Sequence, residues 1–136
     1  MNNIQFINQN IPGILNSMKT IAIVGLSNKP RRISFQIGRY LIQAGYKIIP
    51  VNPNYDSVLG EKCYRSLSEI PYSVDVVNIF RRADEAFSVV EEAVKINAKA
   101  IWMQSGIINE KAAILAFNEG LQVVMNRCIK VEHACL

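Results

Sequence analysis

Five short apolar runs rich in Val and Ile recur along the chain: "TIAIV" at 20–24, "YKIIPV" at 46–51, "VDVVNIF" at 74–80, "KAIWM" at 99–103 and "LQVVM" at 121–125. Each has the length of a strand, and most are too continuously apolar to leave one face wet. The pattern therefore predicts strands covered on both sides. Between them the period changes. Ile33, Ile37, Leu41 and Ala44 recur in steps of four or three, as do Ala86, Val90, Ala93 and Val94, and both sets predict helices with one apolar face. Glu91 and Lys95 add an i, i+4 pair to the second helix. Ser66 followed by Glu69 fits a capping box, Asn109 is placed to cap "EKAAILAFNE", and Gly120 is placed to end that helix in the left-handed conformation. "IPGILNSM" at 11–18 predicts a leading helix packed on the sheet, and the polar stretch 1–10 before it reads as a frayed end. Strands alternating with helices imply parallel pairing with right-handed crossovers. The expected fold is α/β: an open, doubly wound, five-stranded parallel sheet with helices on both faces.

A chain of 136 residues, 50% hydrophobic and 19% charged, fits one globular domain spanning residues 1–136. Its longest apolar runs fall far short of the roughly 20 residues of a membrane-spanning helix. The opening residues do not read as a secretory signal, so no membrane association and a cytoplasmic location are the expectation. Cys63, Cys128 and Cys135 are odd in number and contain no CxxC pair, which argues for reduced thiols and against a disulfide framework or a metal site. The formal charge of +4 is modest and the lysines are scattered, so charge alone does not point to nucleic acid.

The arginines are more informative. Of seven, five fall just past predicted strand ends: Arg31 and Arg32 after the first, Arg81 and Arg82 after the third, and Arg127 after the fifth. Parallel strands place those ends on one edge, so these guanidinium groups are expected to converge there and favour a ligand with several phosphates. The loop "GLSNKPRRIS" at 25–34 occupies the position where such folds rest phosphates against the first helix. Gly25 permits the turn out of the strand. A dinucleotide fingerprint would add glycines at 27 and 30, where this chain has Ser27 and Pro30, and an acidic residue after the second strand, where it has "NPN" at 52–54. Both departures demote a nicotinamide ligand.

The segments "VGLSNKPRRIS", "IIPVNPN", "GEKCYRSLSEIP", "VDVVNIFRR", "AIWMQSGIIN" and "VVMNRCIKVEH" together resemble the small stand-alone coenzyme A-binding proteins, similar to the N-terminal domain of the succinyl-CoA synthetase α-subunit. The resemblance runs from about Ile11 to the end of the chain and implies a Rossmann-like CoA-binding domain. It implies that Gly25, Ser27, Asn28, Lys29, Pro30, Arg31 and Arg32 form a phosphate loop over the ADP part of CoA. Asn52 and Pro53 would lie alongside near the adenosine, Phe80 and Arg81 would flank the nucleotide, and Met103, Gln104 and Ser105 would line the pantetheine path. The ligase chemistry of the synthetase rests on a phosphohistidine in another domain, and the one histidine here, His133, does not match it. The expected function is binding of CoA or an acyl-CoA without catalysis. The alternative is a Rossmann-like enzyme using another nucleotide, such as a nicotinamide-dependent reductase.

Other chemistry-bearing residues read less sharply. Cys128 and His133 invite a nucleophile and base reading, yet five residues apart on a helix they diverge, and a packed thiol with a helix-end histidine is preferred. A thiol beside bound CoA is open to mixed-disulfide formation, with the three cysteines equal in this respect. Trp102 reads as core and Asp75 as structural, while Tyr55 fits equally an adenine stacker or a cover for the core.

Overall fold

The computed structural model describes residues 4–136. Five parallel strands, β1 (Thr20–Val24), β2 (Lys47–Val51), β5 (Val76–Ile79), β6 (Ala100–Met103) and β7 (Gln122–Val124), form one sheet in the order β2-β1-β5-β6-β7. The predicted doubly wound α/β architecture, and each of its five strands to within two residues at either end, is therefore observed. Almost every strand position is buried, as continuous apolar runs require when helices cover both faces.

Alternation along the strands divides the core in two. Ile21, Ile23, Val76, Trp102 and Val124 face a layer containing helices α1 (Ile11–Ser17), α2 (Ile33–Gln43) and α5 (Ile129–Ala134). Ala22, Val24, Val77, Ile79, Ile101 and Met103 face α3 (Ala86–Lys95) and α4 (Glu110–Asn118). Burying each such Val, Leu or Ile side chain contributes about 1.5–3 kcal/mol, which is what holds the two layers to the sheet. Trp102 is fully buried and donates Nε1–H to Arg127 O at 2.9 Å, so it serves the core as expected.

Local signals held unevenly. Asn109 caps α4 by accepting from Ala112 N, and Gly120 follows the helix at φ 88°. Ser66 does not form the expected capping box: its hydroxyl meets Ser68 Oγ instead, and residues Leu67–Glu69 make a single 3₁₀ turn too short for the reciprocal bond. Glu91 and Lys95 make no ion pair, since both point into water, where holding two long side chains together gains little. Residues 4–10 are not frayed. Asn8 exchanges hydrogen bonds with Met125 and donates its backbone N–H to Val123 O, and Phe6 stacks on Phe117 at 4.1 Å, so this stretch closes the outer edge of β7. The rest of the stretch expected to fray, residues 1–3, lies outside the described residues.

One element went unread in the sequence. Between β2 and β5 a small hairpin, β3 (Ser57–Val58) and β4 (Glu61–Lys62), turns through Leu59 at φ 55° and Gly60 at φ 77°. Two consecutive positive φ values are the mark of a type I′ turn, which matches the twist of the strands it joins. The hairpin packs onto α2 at Gly38, where a Cβ would stand 3.0 Å from Leu59 Cδ1.

Candidate functional site

The strand order reverses between β1 and β5, so the crevice of the fold lies above their carboxyl ends. Gly25 sits at that point with φ 93°, and a Cβ there would stand 2.4 Å from Phe80 O. No side chain can occupy this position without pushing the two strand ends apart. Gly25 N–H donates to Val51 O at 2.8 Å and Phe80 N–H to Val24 O at 2.9 Å, which ties three strand ends into one floor.

Above this floor opens a first cleft of about 540 Å³, lined by Gly25, Ser27, Arg31, Arg32, Ile33, Ser34, Asn52, Asn54, Tyr55 and Phe80. The loop over it is held internally: Ser34 Oγ accepts from Ser27 N, Ser27 Oγ accepts from Lys29 N, and Asn52 donates Nδ2–H to Leu26 O and accepts from Asn54 N. These bonds use the polar side chains of Ser27, Ser34 and Asn52 for shape. What remains open is the amino end of α2. Arg32 occupies its N-cap without a side-chain cap, and the N–H groups of Ile33, Ser34 and Phe35 have no acceptor among the described residues. Arg31 and Arg32 are exposed beside it and paired with no carboxylate among the described residues. Unpaired guanidinium groups and free N–H donors at a helix N-terminus are chemically suited to an anion.

A second cleft of about 440 Å³ adjoins the first, with Ile33 and Phe80 common to both, and is completed by Arg81, Gln104, Ser105, Ile107 and Cys128. Ile33 is the residue that sequence periodicity misplaced. It matches the apolar face of α2 by spacing, but as the first residue of the helix it is 69% exposed and forms the ridge between the clefts. Met103, expected on the pantetheine path, is fully buried on the opposite face against the α3 and α4 layer. Strand alternation sends residue 103 one way and Gln104 the other, so only Gln104 and Ser105 reach the cleft.

Convergence of the arginines is partial. Arg31 and Arg32 line the first cleft, and Arg81 lines the second. Arg81 also borders a smaller recess of about 180 Å³ with Pro53, Arg65, Ser66, Glu85 and Glu92 among its walls. There it holds Glu85 Oε2 at 2.6 Å, and this bond to the guanidinium keeps the Glu85 carboxyl below the usual range. Arg82 turns to Asp84 and Glu85, and Arg127 to Glu132, so neither joins the clefts. A local carboxylate captured each of them. Asn28, Lys29 and Pro30 form the exposed tip of the loop.

The remaining candidates fall where their surroundings dictate. Asp75, at the opposite edge, accepts from Lys19 N and Thr20 N and faces Lys99 Nζ at 3.4 Å. Burial pushes its pKa up, but those hydrogen bonds outweigh the burial and hold it below the usual carboxylate range. His133 Nδ1 lies 2.7 Å from Tyr40 Oη, with the Tyr46 ring edge-on at 5.6 Å, so it joins α5 to α2 rather than serving Cys128. Cys63 is buried and donates to Asn52 O; burial pushes its pKa up. Among the described residues, no cluster of His, Cys, Asp and Glu could hold a metal ion, and no helix is long and apolar enough to cross a membrane.

Comparison with known proteins places this geometry. The chain is 44% identical over 124 residues to the uncharacterized protein YneT of Bacillus subtilis, covering 91% of this chain and 92% of that one. It is 37% identical over 95 residues to the ADP-forming acetate–CoA ligase II of Archaeoglobus fulgidus, covering 68% of this chain but 14% of the ligase. A hypothetical protein from Pyrococcus horikoshii OT3 superimposes with a TM-score of 0.92 at 39% identity, covering 100% of this chain and 96% of that one. Residues 19–134 match the CoA binding domain along nearly the whole αβ unit just described, and the chain belongs to that family.

Proposed function

We propose that this protein binds coenzyme A or an acyl-CoA and carries out no reaction of its own. The single observation that supports this most is the pair of adjoining clefts at one sheet edge. The first offers unpaired cations and open N–H donors, suited to a pyrophosphate and a 3′-phosphate. The second has apolar walls and one amide, suited to a pantetheine arm. In this reading Gly25, Ser27, Asn28, Lys29, Pro30, Arg31 and Arg32 form the phosphate loop. Asn52, Pro53, Phe80 and Arg81 flank the nucleotide, with Tyr55 as a further wall. Gln104 and Ser105, together with Ile33 and Ile107, take the arm.

Binding alone is favoured over ligase chemistry because His133 is enclosed by Tyr40 and Tyr46, away from both clefts. A nicotinamide cofactor is disfavoured because Asn52, where a ribose-binding carboxylate would stand, spends its carboxamide on Leu26 and Asn54. The reading implies a small-molecule partner, not nucleic acid or membrane, and a cytoplasmic protein. Titration calorimetry with CoA, acetyl-CoA, NAD and NADP tests it. Saturable heat is expected with CoA and acetyl-CoA only, and saturation by NAD without CoA overturns it. Thermal midpoints should follow, since ligand at 100 times its Kd stabilises the folded form by about 2.7 kcal/mol.

A further inference from the structure

The second cleft contains a donor with nothing to bond. Gln104 is 4% exposed, and its Oε1 accepts from Asn78 Nδ2 at 3.2 Å and from Ile129 N at 2.9 Å. Two N–H donors directed at one atom of a carboxamide identify that atom as the oxygen, because an NH₂ group accepts neither. Nε2 is thereby turned away from both donors, on a residue that lines the cleft, and it has no acceptor among the described residues. Nε2 reaches the surface at the cleft without a protein acceptor, so it is free to donate to a ligand carbonyl. The same carboxamide fixes the backbone at Ile129, the residue after Cys128, whose partly exposed side chain lines the same cleft.

We propose that Cys128 is a modification site for the disulfide form of CoA, with Gln104 Nε2 donating to a carbonyl of the pantetheine arm as the terminal sulfur reaches the thiol. The inference rests on the CoA-binding reading above. Cys128 loses its proton to water, and the thiolate attacks the nearer sulfur of CoA disulfide. The bond from Cys128 Sγ to that sulfur forms as the original S–S bond breaks. The second CoA leaves as a thiolate with the electron pair, so Cys128 is oxidised and the departing sulfur reduced. The other thiols serve as internal controls. Cys63 is buried under the β2 loop, and Cys135 is exposed but lines neither cleft.

The test treats the full chain with CoA disulfide or oxidised glutathione at equal concentration and maps adducts by peptide mass spectrometry over time. Positioning by the cleft is expected to make Cys128 react at least about tenfold faster with CoA disulfide than with oxidised glutathione. Cys135 should show no such preference, and acetyl-CoA should protect Cys128 alone. Cys128→Ser should lose the selective adduct while calorimetry with CoA still saturates. Gln104→Glu, which keeps an acceptor for Asn78 and Ile129 but removes the NH₂ group, should erase the preference at Cys128. Saturable CoA binding with Cys128 no more selective than Cys135 overturns the proposal and leaves the binding reading intact. Absence of CoA binding overturns both.

Discussion

The two edges of the sheet handle polar groups in opposite ways. At the amino edge, Asp75 is surrounded by donors: Lys19 N, Thr20 N and the Lys99 ammonium all address its carboxylate. At the carboxyl edge the first N–H groups of α2, Nε2 of Gln104, and Arg31 and Arg32 all lack partners among the described residues, and the buried Asn78 Oδ1 has none there either. Both edges contain charged groups, so charge alone does not separate them. What separates them is whether the fold itself completes the hydrogen bonding. A completed group stabilises the fold, while a group held rigid and left incomplete costs stability until a ligand arrives.

The sharpest break of this contrast is Gly25→Ala. A Cβ 2.4 Å from Phe80 O and a φ of 93° leave no relaxed conformation, so the floor shared by both clefts must open. Destabilisation of about 3 kcal/mol in urea unfolding is expected, together with loss of measurable CoA binding. The double change Arg31→Ala and Arg32→Ala acts on the incomplete edge alone. It should weaken CoA by about 10–100-fold in calorimetry while the unfolding midpoint stays nearly constant, because charge-assisted bonds to phosphate are lost but no internal bond is.

Asp75→Ala is the mirror experiment at the completed edge. Removing the acceptor of Lys19 N and Thr20 N should cost about 1–2 kcal/mol of stability and leave CoA affinity unchanged. Its pH signature follows from the direction of the shift. The folded-state pKa of Asp75 is lowered, so its contribution is complete above the unfolded value of about 3.9 and is lost as pH falls through the folded value. The variant should therefore show a shallower loss of stability below about pH 4 in acid titrations followed by circular dichroism. Arg82→Ala has the smallest expected effect. With Arg82 turned to Asp84 and Glu85 in water, CoA affinity should stay within about twofold of the parent.

The strands and the two long helices were legible because their signal is periodic and local: a run such as "VDVVNIF" is buried on both faces wherever it lies in a sheet. The loop after β1 was legible by position, since Gly25 directly follows a strand and Ile33 opens a helix. Rotameric choices were not. Arg82 and Arg127 share with Arg31 a place just after a strand, yet each meets a carboxylate three to five residues on, and sequence spacing does not say which pairing wins.

The amino-acid sequence alone determined the layer architecture, the parallel pairing and the edge at which the clefts open, because hydrophobic period and connection handedness constrain these strongly. Tertiary structure decided which face each edge residue serves. Met103 and Gln104 are neighbours in sequence, and only the pleat of β6 sends one into the core and the other to the cleft. It also decided that Ile33, apolar and in register with a buried stripe, stays in solvent as the wall between two clefts. As the first residue of α2 it opens onto both clefts instead of the core, whereas Ile37 and Leu41, one and two turns on, are buried.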